Sequence, residues 1–313
     1  MLLIATKLTL VFTLLLSVAG RLGKSSKYAE LASHFKVQYW LGSAACLLAF
    51  LFYGEWWWGI GAAISVAMNS AEIAPWYVGR KKTTSSRDRR RIKLILANVN
   101  HRNTARERFI TFAQKHTPDL LVVQEVNEGW RESLQGLHGL YPFTEELARS
   151  GGSGMALYSR FPFERLTIAF PEGDSRPCIA ARIDIDGVIV SLLSIHPRTP
   201  IRNDRYRSRN KLFAAAAACL NDLPAPKICV GDLNITPWSP YYQSFIERTE
   251  LVNVRKGFGV LSSWPSWPVF LLFKWMMLPL DHCLVSKDIR VADVRTGETI
   301  GSDHLPLIVE LEM

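Results

Sequence analysis

Six short segments of this 313-residue chain set a polar, chemically capable side chain at the edge of an apolar run. They carry Asn98 in Ala97-Asn98-Val99-Asn100, Glu125 in Val123-Gln124-Glu125-Val126, and His196 in Ser194-Ile195-His196-Pro197. The others carry Asp232 and Asn234 in Gly231-Asp232-Leu233-Asn234, Asp281 in Leu280-Asp281-His282, and Asp303-His304 in Gly301-Ser302-Asp303-His304. Strand ends share an edge of a sheet, so these groups converge if their strands lie side by side. Carboxylates and amides without thiolates form a hard-oxygen donor set, suited to Mg2+ or Mn2+ and not to zinc. Phosphodiester hydrolysis needs such a cation, an activated water and hydrogen-bond donors aimed at phosphoryl oxygens.

Taken singly, these residues also have ordinary readings. Asn98 is equally a turn residue. Asp232 and Asn234 fit the cap of a helix beginning near Pro237. His196 follows an apolar strand and reads as functional ahead of a satisfied interior histidine. Glu125 is harder to explain away, because an acid closing so apolar a stretch is costly to bury without a purpose. His34, His101, His116 and His138 fall in loops or on helix faces and read as surface residues. His282 neighbours Asp281, but successive strand residues face opposite ways, so it leaves the site.

The elements that must position these groups begin at Ile92. Residues 92–97, 120–123, 155–158, 179–185, 188–195, 228–230, 280–285, 289–294 and 305–311 read as strands. Residues 104–116 and 205–220 read as helices from their spacing. Asp186-Gly187 is a two-residue hairpin signal. Mixed hairpins and crossovers predict an α/β domain of packed sheets with helices outside.

The first third differs in kind. Residues 1–20, 37–53 and 56–78 are apolar runs of spanning length, with Tyr39, Trp40, Tyr53, Trp56, Trp57, Trp58, Trp76 and Tyr77 at their ends. They predict three transmembrane helices within 1–79 and a contact with the lipid bilayer. Val18-Ala19-Gly20 is only a fair cleavage site after an n-region without a positive start, so the first run reads as retained. The chain is 48% hydrophobic and 21% charged, with a net charge of +9, which excludes a disordered chain. Residues 1–91 hold 12 Lys and Arg against 4 Asp and Glu, and residues 92–313 hold 25 against 24. The basicity is therefore N-terminal, and a wholly basic nucleic-acid-coating protein is excluded. Arg21, Lys24, Lys27 and Lys36 lie on the same side as the basic linker 80–91 and the domain at 92–313, which predicts a cytoplasmic domain. Five scattered cysteines form no disulfide framework or zinc spacing.

Together Gln124-Glu125-Val126, His196-Pro197, Gly231-Asp232-Leu233-Asn234 and Ser302-Asp303-His304 resemble, in their order, the endonuclease/exonuclease/phosphatase (DNase I-like) superfamily over residues 92–313. The three-span basic N-terminus is similar to that of bacterial membrane-anchored members. The resemblance implies a four-layer sandwich of two packed β-sheets flanked by helices, preceded here by the transmembrane helices. It implies a Mg2+-dependent phosphoesterase, with Mn2+ the alternative ion, in the bacterial cytoplasmic membrane, and no protein partner is implied. Glu125 would be the principal metal ligand with Asn98 beside it, and Asp303 would complete or flank the metal site. Asp232 and Asn234 would position the attacking water and the phosphoryl group, and His196 would donate to a phosphoryl oxygen. His304, oriented by Asp281, would handle the water's proton or act as a cation. Which of Asp232 and His304 is the base stays open.

The resemblance leaves the substrate open between a nucleic acid and a phospholipid headgroup, and a non-catalytic membrane-bound binding module remains a third reading. Gly151-Gly152-Ser153-Gly154 reads first as a plain turn. Arg198, Arg202, Arg205, Arg207, Arg209 and Lys211 read as a solvated helix start or as a basic rim suited to an anion. The apolar stretch 264–279 reads as part core and part hydrophobic lip on the bilayer.

Overall fold

The computed structural model describes residues 1–79, 89–170, 176–267 and 272–313. Arg80 to Arg87 of the basic linker, and Phe270 and Leu271 of the apolar stretch, lie outside the described residues.

The apolar runs form helices α1 (Leu2–Arg21), α3 (Lys36–Tyr53) and α4 (Trp56–Ile73), with a shorter α2 (Lys27–Ser33) between the first two. The basic loop expected there thus contains a helix, capped by Ser26, whose Oγ accepts from the Ala29 N–H. Gly54, at φ 72°, lets the chain reverse between α3 and α4. Taken singly among the described helices, α1 alone is long and apolar enough to cross a membrane, while α2 and α3, bent by 65°, reach that measure only as a pair. Between the helices runs a polar seam in which Ser17 donates to Asn69 at 2.9 Å and Ser43 meets Ser65 at 2.8 Å. Lys36 closes the seam on Glu72 at 3.0 Å. The outward faces carry exposed Leu8, Phe12, Leu15, Leu48, Phe52 and Trp57.

The remainder contains β1 (Arg91–Asn98), α5 (Arg106–His116), β2 (Leu120–Gln124), α6 (Glu128–Leu134), β3 (Phe143–Leu147), β4 (Met155–Ser159) and β5 (Phe163–Ala169). Then follow β6 (Cys178–Ile185), β7 (Val188–Ile195), α7 (Asn203–Asp222), β8 (Lys227–Asp232), α8 (Pro240–Thr249), β9 (Val252–Asn253), β10 (Asp281–Val285), β11 (Arg290–Thr296) and β12 (Leu307–Glu312). Two six-stranded sheets result, ordered β11-β12-β1-β2-β4-β3 and β5-β6-β7-β8-β10-β9. Their facing sides bury Leu94, Leu96 and Val122 against Leu192, Ile228 and Val230. The outer face of the first sheet packs on α5 and α6, and that of the second on α7 and α8. This is the expected four-layer sandwich.

The central strands run continuously apolar because both their faces are buried, so the sequence pattern finds them. The edge strands β3 and β5 mix charges with apolar residues and escape it. Asp186, at φ 53°, and Gly187, at φ 90°, make the β6–β7 hairpin turn. The helix expected near Pro237 begins at Pro240 under a Ser239 cap, so Asp232 and Asn234 are free of that duty.

Candidate active site

β1 and β2 are parallel, as are β7 and β8, so Asn98, Glu125, His196 and Asp232 all leave strands at one edge of the sandwich. β10 runs antiparallel to β8 with Asp281 directly opposite Asp232. β12 runs antiparallel to β1, and Ser302, just ahead of it, donates to the Asn98 carbonyl at 2.7 Å, bringing Asp303 and His304 to the same edge.

There the side chains form one connected array. The Asn98 amide donates to Glu125 Oε1 at 3.2 Å and to Asp232 Oδ2 at 3.1 Å. His196 Nε2 lies 3.6 Å from Asp232 Oδ2 and 4.0 Å from Glu125 Oε1. His304 Nε2 lies 3.6 Å from Asp232 Oδ2, and its Nδ1 meets Asp281 Oδ2 at 2.8 Å. Asp303 lines the same cavity, with its oxygens held by Asn100 at 2.7 Å and the Trp264 indole at 3.1 Å. Asn234, also on the cavity wall, has its backbone N–H on Asp232 Oδ1 at 2.9 Å and its side chain between Thr199 and the Pro197 carbonyl. All eight sequence-derived site residues therefore gather at one edge.

Burial by itself would raise Glu125 and Asp232 and lower His304, and the neighbouring charges and hydrogen bonds reverse each of these tendencies. Against burial, His196 and hydrogen bonds from His101 and Asn98 hold Glu125 below its ordinary value. His304 and His196 do the same for Asp232. Against burial, Asp281 and Asp232 push His304 up to about 10. Arg176 faces His196 Nδ1 at 3.3 Å; a guanidinium only donates, which leaves Nε2 as the nitrogen that donates toward the acids.

Several contributors escape a sequence reading. His101, read as a surface residue, places Nδ1 2.6 Å from Glu125 Oε2 and adds its backbone N–H at 3.2 Å. Asn100, at φ 54°, turns the chain back to bring it there. Glu125 itself sits at φ 67°, a left-handed conformation that a side-chain-bearing residue adopts at a cost and that clusters at functional sites. Gly152 is more than a turn residue. At φ 71°, a Cβ there would lie 3.0 Å from Glu125 Oε2 and 2.9 Å from His101 Nδ1. Gln124 is fully buried between the sheets, accepting from the Asp232 N–H at 2.7 Å and donating to the Ile195 carbonyl at 2.9 Å. His282 does leave the site, for a buried contact with the Ile235 carbonyl at 2.8 Å. His34 is not a surface residue: it is buried, 2.9 Å from Thr236. Arg209 is not part of a basic rim: it is wholly buried on Glu30 at 2.6 Å.

Glu125, Asp232 and Asp303 bring carboxylates to one cavity, ligand atoms of Asp232 and Asp281 lie within 4.8 Å of each other beside His304, and Asp281 Oδ1 is buried with no hydrogen-bond partner. An oxygen-rich donor set with an unsatisfied buried carboxylate oxygen fits a hard divalent cation.

Residues 95–304 match the model of the Endonuclease/Exonuclease/phosphatase family. No curated protein matches the sequence. Among solved structures, the fold is similar to humanized D. rerio TDP2 (TM-score 0.59, 15% identity, 71% of this chain and 99% of that one). It is also similar to the 3′ phosphatase NExo from Neisseria bound to a product DNA hairpin (TM-score 0.57, 18% identity, 70% and 98%). A third is an endonuclease/exonuclease/phosphatase from Beutenbergia cavernae (TM-score 0.57, 17% identity, 72% of each chain). At these identities the likeness is one of fold.

Proposed function

The chain belongs to the endonuclease/exonuclease/phosphatase family, and from that premise we propose that it is a membrane-anchored, divalent-metal-dependent phosphoesterase that hydrolyses phosphodiesters by direct attack of water. The observation that carries this is the connected array in which Asn98 bridges Glu125 and Asp232 at 3.2 and 3.1 Å, and His196 and His304 each lie 3.6 Å from Asp232.

Glu125 and Asn98 would hold Mg2+ or Mn2+, with Asp303 flanking and Asp232 and Asp281 close at hand. When bound, such a cation offsets the charge that develops on the phosphoryl oxygens and acidifies water. Asp232 and Asn234 orient the water in line with the phosphorus. Its oxygen forms the new P–O bond as the ester P–O bond breaks. One water proton passes to the ionised Asp232, and His304, held as a cation by Asp281 and Asp232, supplies a proton to the leaving alkoxide. His196, with its proton on Nε2, donates to a phosphoryl oxygen as charge builds there. Asp281 fixes the His304 ring and sustains its positive charge.

The exposed apolar faces of α1, α3 and α4 support a membrane anchor, read as the three spans at 1–20, 37–53 and 56–78. Lys and Arg around the first loop and beyond the third span favour a cytoplasmic domain in a bacterial cytoplasmic membrane. The substrate is a nucleic acid or a phospholipid headgroup, with no protein partner needed. The test is hydrolysis of bis(p-nitrophenyl) phosphate by the full chain with Mg2+ or Mn2+. Glu125→Gln and His304→Gln are each expected to cost on the order of 10²-fold or more. Rates unaffected by EDTA or by both substitutions would end the proposal and leave the binding-module reading.

A further inference from the structure

The site floor opens into a cavity of about 680 Å³ that holds Glu125, Asp232, Asn234, Asp303 and His304. Its opposite wall comes from α2, which lies outside the 95–304 family match. Three contacts fix α2 there. Glu30, itself buried, lies between Arg209 at 2.6 Å and Ser239 at 2.7 Å. His34 meets Thr236 at 2.9 Å, two residues beyond Asn234. Lys27 Nζ donates to the Ile201 carbonyl at 3.4 Å.

Beside Lys27, Glu30 and His34, which are tied to the sandwich by these contacts, the cavity wall carries an apolar set: Tyr28, Leu31 and Phe35 on one side, Ile201, Leu278 and Leu280 on the others. Tyr28, Leu31 and Ile201 remain 72%, 53% and 72% exposed, an unfavourable arrangement around a polar floor unless hydrocarbon covers it. The stretch that runs into Leu278 adds a second apolar edge. Leu272, Phe273 and Trp275 are exposed, and the Trp275 carbonyl accepts from Gln38 of α3 at 2.8 Å. Both edges of the mouth are thus attached to the apolar helices, and α2 sits where α1 ends and α3 begins. Positive charge is sparse: among the lining residues only Lys27 and Arg102 are basic apart from histidines. A polynucleotide track needs a row of phosphate-neutralising cations, whereas one lipid phosphate needs only one or two.

We propose that the substrate is a membrane lipid phosphodiester, with its phosphate on the site floor and its hydrocarbon lying along Tyr28 and Leu31 of α2 and Phe35 just beyond it, toward the bilayer. The inference rests on the phosphoesterase reading and adds the substrate class and the specificity-determining wall. The full chain is reconstituted in vesicles of phosphatidylcholine, phosphatidylethanolamine and phosphatidylglycerol with Mg2+ or Mn2+. Release of diacylglycerol or of free headgroup is followed beside hydrolysis of bis(p-nitrophenyl) phosphate and of a single-stranded oligonucleotide. Lipid cleavage is expected. Leu31→Asp and Ile201→Asp are each expected to lower the ratio of lipid to soluble-diester rates by about ten-fold or more, with Leu31→Met restoring it. Both positions are exposed, and thermal melts check that the variants fold. Cleavage of the soluble diester or oligonucleotide without cleavage of lipid overturns the lipid inference alone. So does a ratio that neither variant moves. Inactivity on all three substrates overturns the phosphoesterase reading itself.

Discussion

Glu125 receives hydrogen bonds from Asn98 and from both the ring and the backbone of His101, so its carboxylate arrives already oriented. A group that orients a metal-binding carboxylate typically governs affinity by ten- to a hundred-fold. His101→Ala is therefore expected to weaken Mn2+ binding by about ten-fold, read by calorimetry on the full chain, while His101→Asn recovers part of it. An unchanged binding isotherm would show that Asn98 suffices. The acids, amides and imidazoles at the ends of apolar runs were legible in the sequence because little else accounts for a charge there. His101 was not, since it reaches the site only through the left-handed turn at Asn100, and loop histidines look alike in a sequence.

At the level of elements, the docking of α2 has a pH dependence that can be worked out. Burial, helped by the Arg209 charge, lowers His34 from 6.5 to about 3. Above pH 6.5 the ring is neutral whether α2 is docked or not, and it contributes no slope. Below that value the undocked chain binds a proton that the docked chain excludes, so docking weakens as pH falls from about 6.5 toward 3. Melts of the wild type and His34→Gln at about pH 7.5 and about pH 5 should show a larger loss for the wild type. Parallel losses would mean that His34 titrates freely. The sequence marked the helices on either side of α2, yet not α2 itself. Seven residues give too short a period to register, and their purpose becomes visible only when Arg209 and Thr236 arrive from another part of the chain. Edge strands β3 and β5 were lost for the opposite reason: one solvated face lets charge break the pattern.

The whole molecule joins an apolar helical segment to the two-sheet sandwich through buried contacts, so the two parts hold one relative orientation. Protease protection of sealed vesicles should leave the segment beyond residue 89 accessible on the side that carries Arg21 and Lys24, and tags on the two sides of α1 would check it. A protected domain with an accessible Arg21–Lys24 segment would contradict the three-span reading. The sandwich, its layers and its strand-end chemistry are legible in the sequence; the doorway between α2 and the site floor is not, because it exists only in three dimensions. Gln124 limits how such a catalyst can be controlled. Its single amide grips two neighbouring strands of the opposite sheet where they release His196 and Asp232. Sliding one sheet over the other would unseat both halves of the chemistry together, so the interior offers no graded throttle. On the lipid reading, tuning of turnover would act at the threshold instead, by the lateral pressure and composition of the film that α2 would face.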